Sequence, residues 1–253
     1  IRDLVRSRGL GDVYKRQLLR IVLHSTVYME KIRAVLFDLD NTLIDFIAMK
    51  QESCKAAAEA MVKVGLQMKN PEAYYCLMDA YFKVGIESNV AFTEFLIKED
   101  QFDYKILAAA LNAYLDAKSR CLKPYPNVVA VLDELQAKGL TLSIVTDAPK
   151  TKAYQRLLGM GIEGYFRFVV GYEDTNSTKD TGLPLKLAFK LLKKELPDIS
   201  PGEVLMVGDS VKRDIVPAKQ LGLKTALSRY GQKVFEAGNP DFELSKIDDL
   251  LGL

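Results

Sequence analysis

The stretch AVLFDLDNTLID, residues 34–45, is the most informative part of this sequence. It begins with an apolar run, Ala34–Phe37, that is typical of a short buried strand. Two aspartates, Asp38 and Asp40, follow directly, and Thr42 lies two residues further on. Ligands bind at the carboxyl ends of strands in a doubly wound sheet, so this pattern predicts one carboxylate that attacks or holds a metal and another that transfers protons. The structural alternative is an Asx-rich turn that ends a strand.

Strand and helix patterns alternate along most of the remaining sequence. We predict strands at 32–37, 140–145, 166–170, 204–207 and 224–227, helices at 127–138, 149–158, 184–195 and 212–221, and a short strand and closing helix within 239–253. Such alternation implies right-handed βαβ units and a parallel sheet covered on both faces. The predicted fold class is therefore α/β, with a doubly wound parallel sheet.

Residues 46–121 interrupt this alternation, because they contain no strand pattern. Helical spacing predicts helices at 46–64, 71–84, 90–99 and 103–119. We predict an inserted all-helical domain at 46–121 and a core domain formed by 29–45 and 122–253. Most aromatic side chains of the insertion should pack among themselves, while one or two face a substrate cleft.

Composition excludes several kinds of chemistry. The 253 residues are 49% hydrophobic and 27% charged, enough apolar residues for a substantial core. The single histidine, His24, makes a histidine base or a histidine-rich metal site very improbable. Carboxylates must then do the acid–base work, and any metal should be a hard cation that prefers oxygen. The three cysteines form no CxxC pair, so a reducing cytoplasm is the expected location.

The first 28 residues differ in character from the rest. Residues 1–17 hold five Arg or Lys and two Asp, a net charge of +3, whereas the whole chain carries +2. The basic charge thus belongs to this leader and does not argue for a nucleic-acid partner. We expect residues 1–28 to be a non-native, adapter-like extension and Met29 to be the native start, although a natural basic arm is the alternative. Residues 18–27 are too short for a membrane span.

Polar side chains follow the predicted strands in one order. Thr146 follows the second strand, Lys179 lies in the loop after the third, and Asp209 and Asp214 follow the fourth. Parallel strands bring these ends to the same edge of the sheet as Asp38.

These motifs resemble those of the haloacid dehalogenase-like hydrolase superfamily, on its phosphatase branch with a helical cap of the phosphoglycolate phosphatase kind. The first motif, DxDxT, reads Asp38-Leu39-Asp40-Asn41-Thr42, the second is Thr146, and the fourth, GDxxxxD, spans 208–214. The resemblance covers residue 32 to the end. It implies a Rossmann-like core and a Mg²⁺ cofactor.

The resemblance also implies a role for each site residue. Asp38 would be the nucleophile that forms an aspartyl-phosphate, and Asp40 would be the general acid and base. Magnesium would be held by Asp38, the backbone carbonyl of Asp40, and Asp209, while Asp214 supports that site directly or through water. Thr146 and main-chain amides would bind the phosphoryl oxygens, and a lysine would neutralise the charge of transfer.

The chain departs from the family pattern at two positions. The third motif is often Lys-Pro-x-Pro, but residues 177–184 read STKDTGLP. We choose Lys179 as the phosphate-binding lysine, with Lys186 as the second choice; either could instead be a surface lysine. Asp147 stands where many relatives carry Asn, and we expect it to cap the helix that begins near Pro149, although it could repel phosphate.

The predicted function is a magnesium-dependent phosphatase for a small phosphorylated metabolite, acting as a monomer or homodimer without nucleic acid or membrane partners. One alternative is a sugar-phosphate mutase or phosphotransferase that uses the same aspartyl-phosphate. A dehalogenase is disfavoured, because a carbon–halogen bond needs no protonated leaving group and Asp40 would have no task. A non-catalytic binding protein that retains the fold is the last alternative.

Overall fold

A computed structural model describes residues 32–253. The predicted leader, residues 1–28, and His24 lie outside the described residues. Six strands run along the described chain: β1 (Ala34–Phe37), β2 (Thr141–Val145), β3 (Val169–Val170), β4 (Val204–Gly208), β5 (Lys224–Ser228) and β6 (Phe242–Leu244). The helices are α1 (Phe46–Val64), α2 (Asn70–Val84), α3 (Ala91–Lys98), α4 (Tyr104–Cys121), α5 (Val128–Ala137), α6 (Lys150–Gly159), α7 (Leu183–Glu195) and α8 (Val216–Gln220).

All six strands form one parallel sheet in the order β3-β2-β1-β4-β5-β6. β1 lies between β2 and β4, and Phe37 pairs with both Ile144 and Val207. The strand order reverses at β1, and the crevice at such a reversal is where α/β sheets bind ligands. The α/β fold class with a parallel sheet is confirmed.

The alternation of side chains along β1 supplies both faces of the sheet. Val35 and Phe37 pack in one hydrophobic cluster with α5 and α6, whereas Ala34 and Leu36 pack in another with α7 and α8. All four side chains are fully buried. Burial on both faces explains why β1 is a continuous apolar run and not an alternating one.

The four helices between Phe46 and Cys121, here called the helical insertion, have a hydrophobic cluster of their own. It includes Met61, Leu77, Phe92 and Phe95. A smaller cluster of Ile44, Phe46 and Met49 joins the insertion to the sheet. The division of the chain into a core at 29–45 plus 122–253 and a domain at 46–121 stays a prediction. In the described part of the chain, no helix combines the length and the apolar composition that crossing a bilayer demands.

Three predicted elements differ from the structure. The strand predicted at 166–170 is only Val169–Val170, because it lies at the sheet edge and pairs with β2 alone. The helix predicted at 212–221 begins as a π-helical turn, Val211–Ile215, and becomes α8 only afterwards. Pro217 contributes to this break, since it has no N–H to donate. The closing helix is a run of 3-10 turns, Ile247–Gly252.

Candidate active site

Asp38 lies directly after β1, in the crevice between β2 and β4. Its backbone N–H donates to the carbonyl of Val207 at 2.8 Å, which continues the β1–β4 ladder by one residue. Asp38 is only 4% exposed. A carboxylate so deeply buried needs compensating groups around it.

Two further carboxylates meet Asp38. One oxygen from each of Asp38, Asp209 and Asp214 lies within 4.8 Å of the others. Asp209 follows β4 directly, and the π-helical turn brings Asp214 back over Gly208. A Cβ at position 208 would overlap the Asp214 carboxyl group, so glycine is required there. The Asp214 carboxylate accepts a hydrogen bond from the Ser210 N–H at 3.0 Å, which fixes its orientation.

Lys179 lies among these carboxylates. Its Nζ is 2.5 Å from Asp38 Oδ1 and 2.6 Å from Asp214 Oδ1. Burial lowers the pKa of Lys179, but the carboxylates of Asp214 and Asp38 outweigh burial, and the pKa is raised. The ammonium is therefore charged. Lys186, the second choice, is exposed on α7.

The carboxylate cluster is electrostatically suited to a divalent cation. Burial raises the pKa of both Asp209 and Asp214, and the charge of Asp38 raises both further. Asp209 Oδ1 is buried without a hydrogen bond, and the Arg213 guanidinium is 3.8 Å away. An oxygen-only donor set of this kind fits a hard cation such as Mg²⁺ or Ca²⁺.

Asp40 has a different environment from Asp38. Its Oδ2 accepts a hydrogen bond from Arg156 at 3.1 Å, and its side chain is not part of the three-carboxylate cluster. Burial raises the pKa of Asp40 to about 7, with Asp38 and Glu87 adding to the shift and Arg156 opposing it. A carboxyl group with this pKa can both give and take a proton near neutral pH.

The residues that follow β2 lie at the same edge of the sheet as Asp38. Thr146 is 2% exposed, and its Oγ1 accepts a hydrogen bond from the Ala148 N–H at 3.1 Å. The expectation that Asp147 caps the next helix is wrong. Its Oδ1 accepts from the Lys179 N–H at 2.7 Å instead, so it fixes the loop that carries the lysine. Glu173 accepts from the first N–H of α6, at Lys150, and leaves Asp147 free for this contact.

A comparison with protein families agrees with this geometry. The model of the haloacid dehalogenase-like hydrolase family matches residues 35–228. The chain belongs to this family. The matched range includes Asp38, Asp40, Thr146, Lys179 and Asp209.

Several phosphatases are similar to the chain. A glyceraldehyde 3-phosphate phosphatase of Methanopyrus kandleri is 32% identical, over 87% of this chain and 96% of that protein. A phosphoglycolate phosphatase of Aquifex aeolicus is 31% identical over the same shares of the two chains. The crystal structure of a phosphatase from Thermococcus onnurineus superposes with a TM-score of 0.61 at 24% identity, covering 87% of this chain and 98% of that one. At this sequence identity, the structural similarity shows only that the two proteins share a fold.

A cavity of about 450 Å³ opens above the carboxylates of this haloacid dehalogenase-like hydrolase. Asp38, Asp40 and Thr146 line its floor, and the helical insertion supplies much of its wall. The wall residues from the insertion are Phe46, Ile47, Phe82, Ile86 and Glu87. Phe82 is 71% exposed. This aromatic residue of the insertion therefore faces the cleft and is not part of the hydrophobic core of the insertion.

Sequence reasoning missed Arg156, which joins Asp40 to the helical insertion. Its guanidinium contacts the carboxylates of Asp40 and Glu87 and lies over the Phe46 ring at 4.6 Å. Arg156 is only 1% exposed. A signal was present, because Arg156 shares the buried face of α6 with Ala153 and Leu157 at helical spacing.

Proposed function

We propose that this chain is a magnesium-dependent phosphatase that hydrolyses a small phosphorylated metabolite through an aspartyl-phosphate at Asp38. The observation that carries the proposal is the buried cluster of Asp38, Asp209 and Asp214, together with the Lys179 ammonium between Asp38 and Asp214. A structural ion-pair network alone would not need three carboxylates for one lysine. Family membership and the phosphatase relatives support the same reaction.

In the first step, a carboxylate oxygen of Asp38 attacks phosphorus and the bond to the ester oxygen breaks. The departing alkoxide takes the proton of the Asp40 carboxyl group. Asp40 is suited to this because burial raises its pKa to about 7, so a large fraction is protonated near neutral pH. Lys179 and Thr146 then hold the phosphoryl oxygens, the lysine by charge and the threonine through its hydroxyl.

In the second step, Asp40, now a carboxylate, takes a proton from water. The water oxygen attacks phosphorus, the bond to Asp38 breaks, and inorganic phosphate is released. Arg156 keeps the Asp40 carboxylate aimed at the cavity in both steps through its 3.1 Å hydrogen bond.

Asp38, Asp209 and Asp214, with the backbone carbonyl of Asp40, would hold the magnesium ion. When bound, it supplies positive charge that shields the anionic nucleophile from the anionic phosphate and stabilises the transferring oxygens. The substrate is a phosphomonoester small enough for a cavity of about 450 Å³, and phosphoglycolate and glyceraldehyde 3-phosphate are the first candidates because relatives are named for them.

The test is release of inorganic phosphate from both candidates by the wild type and by Asp38→Asn. We expect turnover to be abolished in Asp38→Asn and in wild type treated with a chelator, because both changes remove a group from the reacting centre. The matched control is Asp198→Asn, an exposed carboxylate that pairs with Arg33 near the opposite edge of the sheet. Full activity in Asp38→Asn would falsify the mechanism. Isomer formation from hexose phosphates without phosphate release would support the mutase alternative.

A further inference from the structure

A second cavity, of about 160 Å³, lies between the helical insertion and α6. Three lysines line it: Lys50 from α1, Lys118 from α4 and Lys152 from α6. Glu87 lines both this cavity and the larger one above Asp38, so the two are neighbours. We call the smaller one the lysine pocket.

Lys50 is the most unusual of the three lysines. It is 3% exposed, and its ammonium donates to the Tyr114 hydroxyl at 2.9 Å and lies 3.4 Å from the centre of the Tyr81 ring. Burial lowers the pKa of Lys50 to about 8, so the ammonium remains mostly charged at neutral pH. Buried charges in proteins are normally paired with an opposite charge, but here two tyrosines are the neighbours.

The charge of the lysine pocket is not balanced within residues 32–253. No carboxylate of that range lies within 4 Å of the ammonium of Lys50, Lys118 or Lys152. Lys152 donates to the side-chain oxygen of Asn89, at 3.2 Å. Glu87 is the carboxylate on the lining, and it shares the Arg156 guanidinium with Asp40. Burial lowers the pKa of Lys118, and the charges of Arg156 and Lys152 lower it further, while the carboxylates of Glu87 and Asp40 only partly oppose the shift.

We propose that the lysine pocket binds the carboxylate or phosphate group of a small anion. Three lysines line the pocket, and the carboxylate of Glu87, which is shared with Arg156, is the opposing charge on its lining within residues 32–253. The pocket therefore offers donors and an excess of positive charge for one such group, and its volume admits little more. The anion has two possible sources, which are the distal end of the substrate or a free anion in solution. The first source rests on the proposed phosphatase function and would make a phosphorylated carboxylic acid the preferred substrate class.

Residue-resolved lysine acetylation tests the pocket without relying on catalysis. Lys118 and Lys152 are partly exposed, so acetic anhydride reaches them, and mass spectrometry of peptides gives the rate at each position. We expect inorganic phosphate to slow acetylation of Lys118 and Lys152 and to leave the rates at the exposed Lys190 and Lys194 of α7 unchanged. Binding of phosphate at the catalytic centre alone would leave the rates at these two lysines unchanged.

Kinetics distinguish the two sources of the anion. Phosphoglycolate has a distal carboxylate, and glyceraldehyde 3-phosphate has none. If the substrate end occupies the pocket, the double variant Lys118→Met/Lys152→Met raises KM for phosphoglycolate about tenfold, the value of one lost charge-assisted hydrogen bond, and leaves KM for glyceraldehyde 3-phosphate unchanged. The control is Lys190→Met/Lys194→Met.

A selective KM increase supports the substrate source, and protection from acetylation without a KM change supports a free anion. If neither protection nor a selective KM change is found, the proposal is overturned and Lys50 is a structural lysine held by its two tyrosines. If the wild type releases no phosphate at all, the phosphatase proposal fails, yet the acetylation result still decides whether the pocket binds anions.

Discussion

Asp38 and Asp40 are two residues apart but have opposite surroundings. Asp38 lies against the ammonium of Lys179, with 2.5 Å between Nζ and Oδ1. Asp40 is bonded to Arg156, yet burial prevails and raises its pKa to about 7. A carboxyl group with a pKa of about 7 beside a carboxylate held by a lysine is the arrangement expected of an acid–base group next to a nucleophile.

The role of Asp40 predicts how Asp40→Asn responds to the leaving group. With an alkyl phosphate, we expect turnover to fall about 10²- to 10⁴-fold, the usual contribution of a general acid–base group. With p-nitrophenyl phosphate, the leaving group needs no proton, so the first turnover should survive and only later ones should be slow. Stopped-flow absorbance would show a burst of about one equivalent of p-nitrophenolate. Equal losses on both substrates in all phases would contradict a proton-transfer role, and Asp198→Asn again provides the control.

Lys50 predicts an unusual dependence of stability on pH. Its pKa is about 8 in the folded protein against 10.5 in the unfolded chain, so the unfolded state binds more protons between these values and stability rises with pH there. Charge burial then costs about 3 kcal/mol below pH 8 and nothing above pH 10.5. Denaturant unfolding should find Lys50→Met more stable than the wild type at pH 7, with the difference lost by pH 10.5. A difference that does not vary with pH, or one also seen in Lys190→Met, would refute this.

The loops after the strands show where prediction from sequence succeeds and where it stops. The positions of Asp38 and Asp209 at strand ends were predicted correctly, because an apolar run in the sequence precedes each of them. The contact of Asp147 with the Lys179 loop was not visible, since it joins residues 32 positions apart. Local capping rules favoured the wrong partner there. Arg156 was missed for a similar reason, because its partners Asp40 and Glu87 come from two other segments.

The contact of α6 with the helical insertion predicts strong coupling between Arg156 and Glu87. Removing one partner of a buried pair leaves an uncompensated charge, so Arg156→Met should cost about 3 kcal/mol of unfolding free energy. The double variant Arg156→Met/Glu87→Gln should cost clearly less than the sum of the single variants, with a coupling of about 1 kcal/mol or more. The exposed pair Arg167 and Glu195 is the matched control, with expected coupling below about 0.5 kcal/mol. If the two substitutions have additive effects on the unfolding free energy, the contact between Arg156 and Glu87 does not stabilise the protein.

At the scale of the whole molecule, the order of strands explains why one edge carries the chemistry. β1 is central and the chain crosses to β2 on one side and β4 on the other, so Asp38, Thr146 and Asp209 converge although 171 positions separate the first from the last. Apolar runs and their alternation with helices were sufficient to predict a parallel sheet, but not the order of its strands. The place of the helical insertion above the edge was not derivable from periodicity, because it depends on contacts such as those of Phe46 and Arg156.

The most direct test of the account is to locate the phosphoryl group during turnover. Asp40→Asn would be mixed with p-nitrophenyl phosphate and Mg²⁺, quenched in acid, digested, and analysed by mass spectrometry for a phosphorylated peptide. An aspartyl-phosphate mechanism places one phosphoryl group on Asp38 and none on Asp209, Asp214 or any other residue. Release of phosphate with no phosphorylated peptide, or with the phosphoryl group on a residue other than Asp38, would contradict it.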